Sequence, residues 1–346
     1  MVVIHKDQLR EFDKKYKCDE WGKHSRYFCT KESVESLGLK YREGRGIKLV
    51  VNNKMKTTEH LQRLALIQTY YHYRGLSPKV YNTGWVGEYP YLEVEHIEGK
   101  FIKPTKKLID KIEKVASDSG FIKPYLDLNI EKNYIQREKI YYIDFHGFEI
   151  NLEYLERKLM KDINDKTHWG KNNNEGDRYS YQGWLTLGLT GKRNCDDRIN
   201  QMNLKSIDFK DKTVLDIGCN LGLMSHYATT RGAKVIAVDK INIIESAEMF
   251  KYLKGLSNVE FYADEFTPDT IDKYGEFDIV FYFAMIHSLG RPKKLKDITK
   301  EILIYEGHNL ENTITTYFEL KEIFNSVEYA GHTIDRGIRP VFWCKH

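Results

Sequence analysis

The stretch Val214-Leu215-Asp216-Ile217-Gly218-Cys219-Asn220-Leu221-Gly222 constrains the fold of this chain more than any other. A short apolar run ends in an acid and a small-residue turn, and Leu223-Met224-Ser225 then opens a helical pattern. Glycines at 218 and 222 allow a tight turn and let a ligand approach backbone amides without a Cβ in the way. The spacing is G-x-x-x-G, not the G-x-G-x-x-G of a dinucleotide fold, so a charged group smaller than a pyrophosphate is expected there.

The segments around this motif repeat the same grammar. Short β-rich runs at Thr213–Ile217, Lys234–Val238, Val259–Tyr262, Phe277–Phe283, Glu301–Tyr305 and Val341–Cys344 alternate with helical patterns at Met224–Arg231, Ile244–Leu253 and Lys294–Ile298. That alternation predicts an α/β domain with a parallel, Rossmann-like doubly wound sheet. Ligands bind such sheets at the carboxyl ends of their strands. The second run ends at Asp239, where a carboxylate can accept both hydroxyls of a ribose.

At 346 residues the chain is too long for one average domain, and 41% hydrophobic with 30% charged residues suits globular protein. The segment Lys161–Arg178, KDINDKTHWGKNNNEGDR, breaks the apolar periodicity. The expected organisation is therefore a domain at 1–160 closing on a helix at Asn151–Met160, a linker at 161–178 and the sheet domain at 179–346. No uncharged apolar stretch approaches the roughly 18 residues of a membrane helix, and MVVIHKDQLR lacks the apolar core of a secretory signal. A cytoplasmic protein is expected. Cys18, Cys29, Cys195, Cys219 and Cys344 form no C-x-x-C pair, so free thiols are expected rather than a zinc ribbon or disulfide framework. The net charge of +4 is uneven: residues 1–150 hold 27 Lys+Arg against 21 Asp+Glu, and the rest 27 against 29. A basic first half suits an anionic partner or simply a solvated surface.

Taken together, VLDIGCNLG, the second-strand acid of AVD, the third-strand acid of YADEF and the run FDIVFYFAMIHSLG resemble the class I S-adenosylmethionine-dependent methyltransferases, over about residues 179–346. The resemblance implies S-adenosyl-L-methionine as cofactor. It places Asp216, Gly218, Asn220 and Gly222 around the amino-acid portion of the cofactor, Asp239 on the ribose, and Asp264 or the adjacent Glu265 on the adenine amine. In relatives that modify glycans and tRNA, an aromatic and basic segment ahead of the first strand closes over the cofactor. Tyr181, Gln182 and Arg193 match such a lid, although an amphipathic helix packed under the sheet fits the same residues, its latter half especially.

Methyl transfer from a sulfonium is an in-line displacement, which leaves the protein to position the acceptor and take its proton. His287, after the apolar run 281–286, is expected at the carboxyl end of the fourth strand, with a pKa suited to a general base. Glu306 and His308 follow the fifth strand. The three are expected to meet as a base with an orienting carboxylate, in preference to a two-His-one-carboxylate metal set.

The first 160 residues read as a helix at Thr58–Tyr73, a break at residues 75–80 leading into a strand, a strand at Tyr91–Gly99 ending in an acidic turn, and a strand at Ile140–Phe145. This order resembles the protein-kinase-like fold of aminoglycoside and sugar kinases: Lys48 on a strand, a hinge at Glu95–Gly99, Asp127 and Asn133 in a catalytic-type loop, and Asp144-Phe145 as the metal-binding pair. No glycine-rich phosphate loop precedes Lys48, the helix lacks a glutamate to pair with it, and the 127–133 step is one residue too long. A smaller α+β, degenerate kinase-like module that holds substrate is expected. Bifunctional kinase-methyltransferases that cap bacterial polysaccharides combine the same two domain types, so the expected reaction is methylation of a hydroxyl or phosphate on a sugar or glycan-type small molecule. An RNA methyltransferase and a non-catalytic cofactor-binding module are the alternatives.

Overall fold

A computed structural model of the chain describes residues 13, 15–16, 18–21, 25–52, 55–119, 121–122, 127–146, 149–150, 154–158, 180–189, 191–256, 259–309, 311–334 and 337–346. Two compact units form, residues 1–158 with 251–255, and residues 159–250 with 256–346. The expected linker at 161–178 lies outside the described residues, as do 151–153 and 159–160 of the expected helix, whose residues 154–158 are helical.

The first unit is built on an antiparallel sheet of β1 (Glu20–Trp21), β2 (Ser25–Phe28), β3 (Arg45–Val50), β4 (Val80–Val86) and β5 (Tyr89–Glu95), in the order β1-β2-β3-β5-β4. Helix α1 (Lys31–Ser36) joins β2 to β3, and α2 (Thr58–His72) joins β3 to β4. The α2 helix starts where the Thr57 side chain accepts from the His60 amide at 3.0 Å. Leu61, Leu64, Ala65 and Ile67 bury its inner face, and Gly75, at φ +70°, ends the run by returning its amide to the His72 carbonyl. Beyond it lie β6 (Lys100–Phe101), α3 (Lys106–Ser119), β7 (Phe121–Ile122), β8 (Tyr134–Gln136), β9 (Ile140–Tyr142) and β10 (Glu149–Ile150). The strand expected to run to Phe145 stops at Tyr142, where the Ile143 amide turns to the Asn133 carbonyl at 3.0 Å.

The second unit opens with a parallel pair, β11 (Ser180–Gly183) and β12 (Gly191–Asn194), and helix α4 (Cys195–Gln201). A seven-stranded sheet follows: β13 (Thr213–Ile217), β14 (Lys234–Asp239), β15 (Val259–Ala263), β16 (Phe277–Phe283), β17 (Thr299–Glu306), β18 (Ser326–Ile334) and β19 (Ile338–Lys345). The order is β15-β14-β13-β16-β17-β19-β18, all parallel except β19. Helices α5 (Leu223–Thr230), α6 (Ile241–Leu253), α7 (Ile286–Leu289), α8 (Lys294–Asp297) and α9 (Thr313–Lys321) lie along its connections. The doubly wound sheet expected from the alternating pattern is thus present, with one antiparallel strand added near its edge.

Central strands are buried on both faces, which is why they read as continuous apolar runs. One face packs Leu215, Ile217, Val280, Tyr282, Leu303, Tyr305 and Phe342 into a single cluster. Removing such a side chain, as in Leu215→Ala, costs about 2–5 kcal/mol. Two elements carried no clear signal. Strand β18 lies at the edge with mostly exposed residues and a glycine at 331, and α9 is rich in β-branched residues. All five cysteines are free. Among the described residues no helix is long and apolar enough to cross a membrane.

Candidate functional site

The order reverses between β13, which continues to β14, and β16, which begins the other half of the sheet. The crevice at such a switch point is where doubly wound sheets hold ligands. Asp216 lies one residue before the end of β13, nearly fully buried, and accepts from the Ser225 hydroxyl at the start of α5. Burial pushes its pKa up to about 7, against the Ser225 hydrogen bond and the Arg198 cation. The turn that follows holds Gly218, Asn220 and Gly222 at φ +74°, +55° and +70°. A Cβ on Gly222 would stand 2.6 Å from the Phe261 ring, so the turn packs tightly against β15.

Asp239 closes β14. Its Oδ2 accepts from the Asn220 amide and its Oδ1 from the Lys240 amide, both at 2.8 Å, so it braces the glycine turn from the neighbouring strand. Burial raises its proton affinity despite these donors. Asp264 follows β15 and sends its amide to the Asp239 carbonyl at 2.9 Å. Its carboxylate accepts from the Tyr274 hydroxyl at 2.8 Å and pairs with Lys273. Burial works to raise its pKa, but the Lys273 and Tyr274 contacts outweigh it and hold the group below the usual carboxylate range. Glu265 is exposed and lies 3.8 Å from Lys240.

Three adjacent strand ends therefore present an acid each, beside a turn with no Cβ at two of its positions. Asn220 Oδ1 is a buried acceptor without a hydrogen-bond partner. These features fit a nucleoside with an amino-acid tail: a carboxylate for ribose hydroxyls, an unanswered acceptor and a cradle that side chains would fill.

The residues expected to carry catalysis are arranged differently from expectation. Strand β16 ends at Phe283, and Ala284, at φ +59°, turns the chain so that His287 sits on the short helix α7 rather than at the strand end. His287 and His308 meet edge to face, with ring centroids 4.4 Å apart. Burial, then the Arg339 cation and the neighbouring His287, lower the proton affinity of His308. The His308 amide donates to Glu311, whose carboxylate also accepts from Tyr305 and Arg291, so Glu311 fixes this loop.

Glu306 does not join the histidines. It is fully buried, and its carboxylate receives Arg193 Nη2 at 2.9 Å on each oxygen, Arg198 Nη2 at 2.7 Å, Arg198 Nε at 3.2 Å and the Thr333 hydroxyl at 2.7 Å. Burial alone would raise its pKa, but the two arginines draw it down to about 2. With its lone pairs committed to these donors, Glu306 neither orients an imidazole nor is available as a metal ligand. Arg193, expected in a lid over the cofactor, pairs with Glu306. Gln182 pairs in register with Arg193 across the β11–β12 ribbon and is buried. The side chain of Tyr181 lies outside the described residues. The segment is thus a strand pair followed by a helix at Cys195–Gln201. Among the described residues no group of three His, Cys, Asp or Glu side chains is arranged to hold a metal ion. Ser225, Arg198 and Glu311 escape sequence reasoning because each acts through a partner distant along the chain or on a different element.

The first unit encloses a cavity of about 740 Å³ whose lining includes Lys48, Glu95, Asn133, Asp144 and His146. Lys48 Nζ donates to the Ile143 carbonyl at 2.8 Å. Burial lowers its proton affinity, with Asp144 opposing. The side chain of Asp127 lies outside the described residues.

No protein-family model matches this sequence. A stretch of 51 residues is 51% identical to protein arginine N-methyltransferase 1 of Saccharomyces cerevisiae, covering 14% of this chain and 15% of that protein. Similar solved structures include the bifunctional kinase-methyltransferase WbdD, at 18% identity over 49% of this chain and 44% of that one, with a TM-score of 0.38. Magnesium protoporphyrin IX methyltransferase (ChlM) from Synechocystis PCC 6803, solved with bound SAM, is 14% identical over 44% of this chain and 77% of that one, with a TM-score of 0.35. The match spans well under a quarter of the yeast protein, and this chain covers less than half of the WbdD chain.

Proposed function

We propose that the second unit is an S-adenosylmethionine-dependent methyltransferase that acts on a hydroxyl or phosphate of a sugar- or glycan-type small molecule. The observation that carries this reading is the convergence of Asp216, the Gly218–Gly222 turn, Asp239 and Asp264 on three adjacent strand ends at the switch point. The short, highly identical match to a yeast methyltransferase supports the same chemistry. When bound, S-adenosylmethionine supplies an electrophilic methyl group on a sulfonium.

This chain's residues do the rest. Asp239, braced by two backbone amides, takes the ribose hydroxyls, and Asp264 or Glu265 the adenine amine. Asp216 and the turn amides hold the amino-acid tail. His308, kept neutral by its surroundings, takes the acceptor's proton at Nε2, with His287 packed edge to face against it. The Glu306 cluster ties β12 and α4 to β17 and β18, so the segment ahead of the first strand is held at the carboxyl edge of the sheet.

Calorimetry with S-adenosylmethionine tests the reading. Micromolar binding that weakens at least tenfold in Asp239→Ala supports it, and no binding by the wild type rejects it. An acceptor whose affinity falls steeply with salt points to RNA, whereas saturation by a small sugar phosphate opposes RNA.

The first unit is read as a degenerate kinase-like module, because Lys48, Asn133 and Asp144 line one cavity beside the Glu95 hinge. The lining fits the phosphates of a nucleotide only in part, since Lys48 answers the Ile143 carbonyl and the α2 glutamate, Glu59, pairs with Arg63. Titration of the full chain with magnesium-ATP tests this: weak binding without phosphoryl transfer is expected, and no nucleotide binding removes the kinase-like reading.

A further inference from the structure

In the β17–β19 register Glu306 stands opposite Val341, and in the β18–β19 register Arg339 stands opposite Thr333. Alternation along β19 puts Arg339 and Val341 on one face of the sheet, with Glu306 and Thr333. The Thr333–Glu306 hydrogen bond at 2.7 Å is the contact that this shared face makes possible. Arg339 is 5% exposed, and its Nε and Nη1 are buried without a hydrogen-bond partner. Arg198 Nη1 is buried and unanswered in the same way.

Charge on this face does not balance. Arg193, Arg198 and Arg339 share it with Glu306, whose oxygens Arg193, Arg198 and Thr333 already occupy, and with Asp216, which accepts from Ser225 and whose ionised form burial disfavours. Glu311, nearby on the His308 loop, is taken by Arg291, Tyr305 and the His308 amide. A buried guanidinium with open donors is costly to fold unless something supplies the acceptor atoms.

We propose that Arg339 receives an oxyanion, a phosphate or a carboxylate, carried by the methyl acceptor and held beside the His287–His308 pair. The planar fork of an arginine matches either group bidentately. This inference rests on the methyltransferase reading and narrows its acceptor to an anionic one. The cofactor's own carboxylate is the competing occupant. It belongs beside Asp216 on β13, and β19 lies three strand spacings away, about 14 Å across the sheet. The Arg339 charge acts on His308, whose Nδ1 is also buried without a partner.

The test uses the full chain saturated with S-adenosylhomocysteine and titrated calorimetrically with inorganic phosphate at constant ionic strength. Saturable binding is expected in the wild type, at least tenfold weaker in Arg339→Gln and partly retained in Arg339→Lys. Affinity for S-adenosylhomocysteine stays within twofold in all three. The melting temperature of Arg339→Gln stays at or above that of the wild type, since an unanswered buried charge is removed, and this separates loss of binding from loss of fold. Equal phosphate affinity in wild type and Arg339→Gln, or no saturable phosphate binding by the wild type, overturns the proposal. A tenfold loss of S-adenosylhomocysteine affinity in Arg339→Gln also overturns it, by making the cofactor's carboxylate the ligand. Failure of the wild type to bind S-adenosylhomocysteine is a different result, and it rejects the methyltransferase reading itself.

Discussion

Arg198 and Glu306 form a two-pronged ion pair, with Nη2 to Oε2 at 2.7 Å and Nε to Oε1 at 3.2 Å, between a helix that precedes the sheet and the end of its fifth strand. Both side chains are almost wholly shielded from water, and Arg193 completes the cluster. A pair so placed contributes less through net attraction than through the penalty for losing one member.

Glu306→Gln leaves two buried arginines facing a neutral amide. We expect a loss of about 3–5 kcal/mol in unfolding free energy by urea titration. A change under about 1 kcal/mol would mean that the cluster does not hold the segment in place. The same carboxylate predicts an acid limb. Its pKa is lowered from 4.5 to about 2 in the folded state, so its contribution is full above pH 4.5 and drains away as pH falls toward 2.

Asp216 predicts the opposite slope. Its folded pKa is raised from 3.8 to about 7, so the stability linked to its protonated form is present below pH 4 and is lost as pH rises through 7. The variant Asp216→Asn removes that titration. Its unfolding free energy, compared with the wild type between pH 4 and 8, should gain on the wild type as pH rises. Parallel curves would show that Asp216 does not titrate in this window.

Gly222 is held in the left-handed region and faces the Phe261 ring. For Gly222→Ala we expect destabilisation of about 1–3 kcal/mol from the backbone alone, with more from the collision. Weaker binding of S-adenosylhomocysteine should accompany it. Unchanged thermal stability and affinity together would remove the turn from the binding site.

If His308 is the base, His308→Ala should lower kcat by about 100- to 10,000-fold with little effect on cofactor affinity. The acid limb of kcat/KM in the wild type should lie below pH 6.5, because burial, the Arg339 cation and the neighbouring His287 disfavour the imidazolium. His287→Ala removes one of those influences and should move that limb upward. A limb that stays in place in His287→Ala would uncouple the two rings.

The elements that hold the expected cofactor residues were readable in the sequence because each of their signals is local. Leu215 and Ile217 announce a buried strand, Gly218 and Gly222 a turn with left-handed residues, and Asp239 closes the next strand. The arrangement of the residues expected to carry catalysis was readable only as residue types. His287 was expected at a strand end and sits on a helix, because Ala284 adopts a left-handed turn that nothing in an alanine signals. Glu306 was expected beside the histidines, yet its partners lie 108 and 113 residues earlier in the chain. The edge strand β18 gave no apolar run, since an edge exposed on one side does not need one.

By itself, then, the sequence determined the strand–turn–helix unit, the doubly wound order of the central strands and the acids at their ends, because steric limits and burial act within a few residues. Only the tertiary structure decided which charges neutralise one another. Glu306 could have answered His287, His308 or an arginine on chemistry alone, and the packing of β12 and α4 against the sheet, with Thr333 on β18, placed Arg193, Arg198 and Thr333 within reach of it. The same packing left Arg339 buried without a counter-charge, a fact that no local pattern encodes because burial of a side chain is set by every element that packs around it.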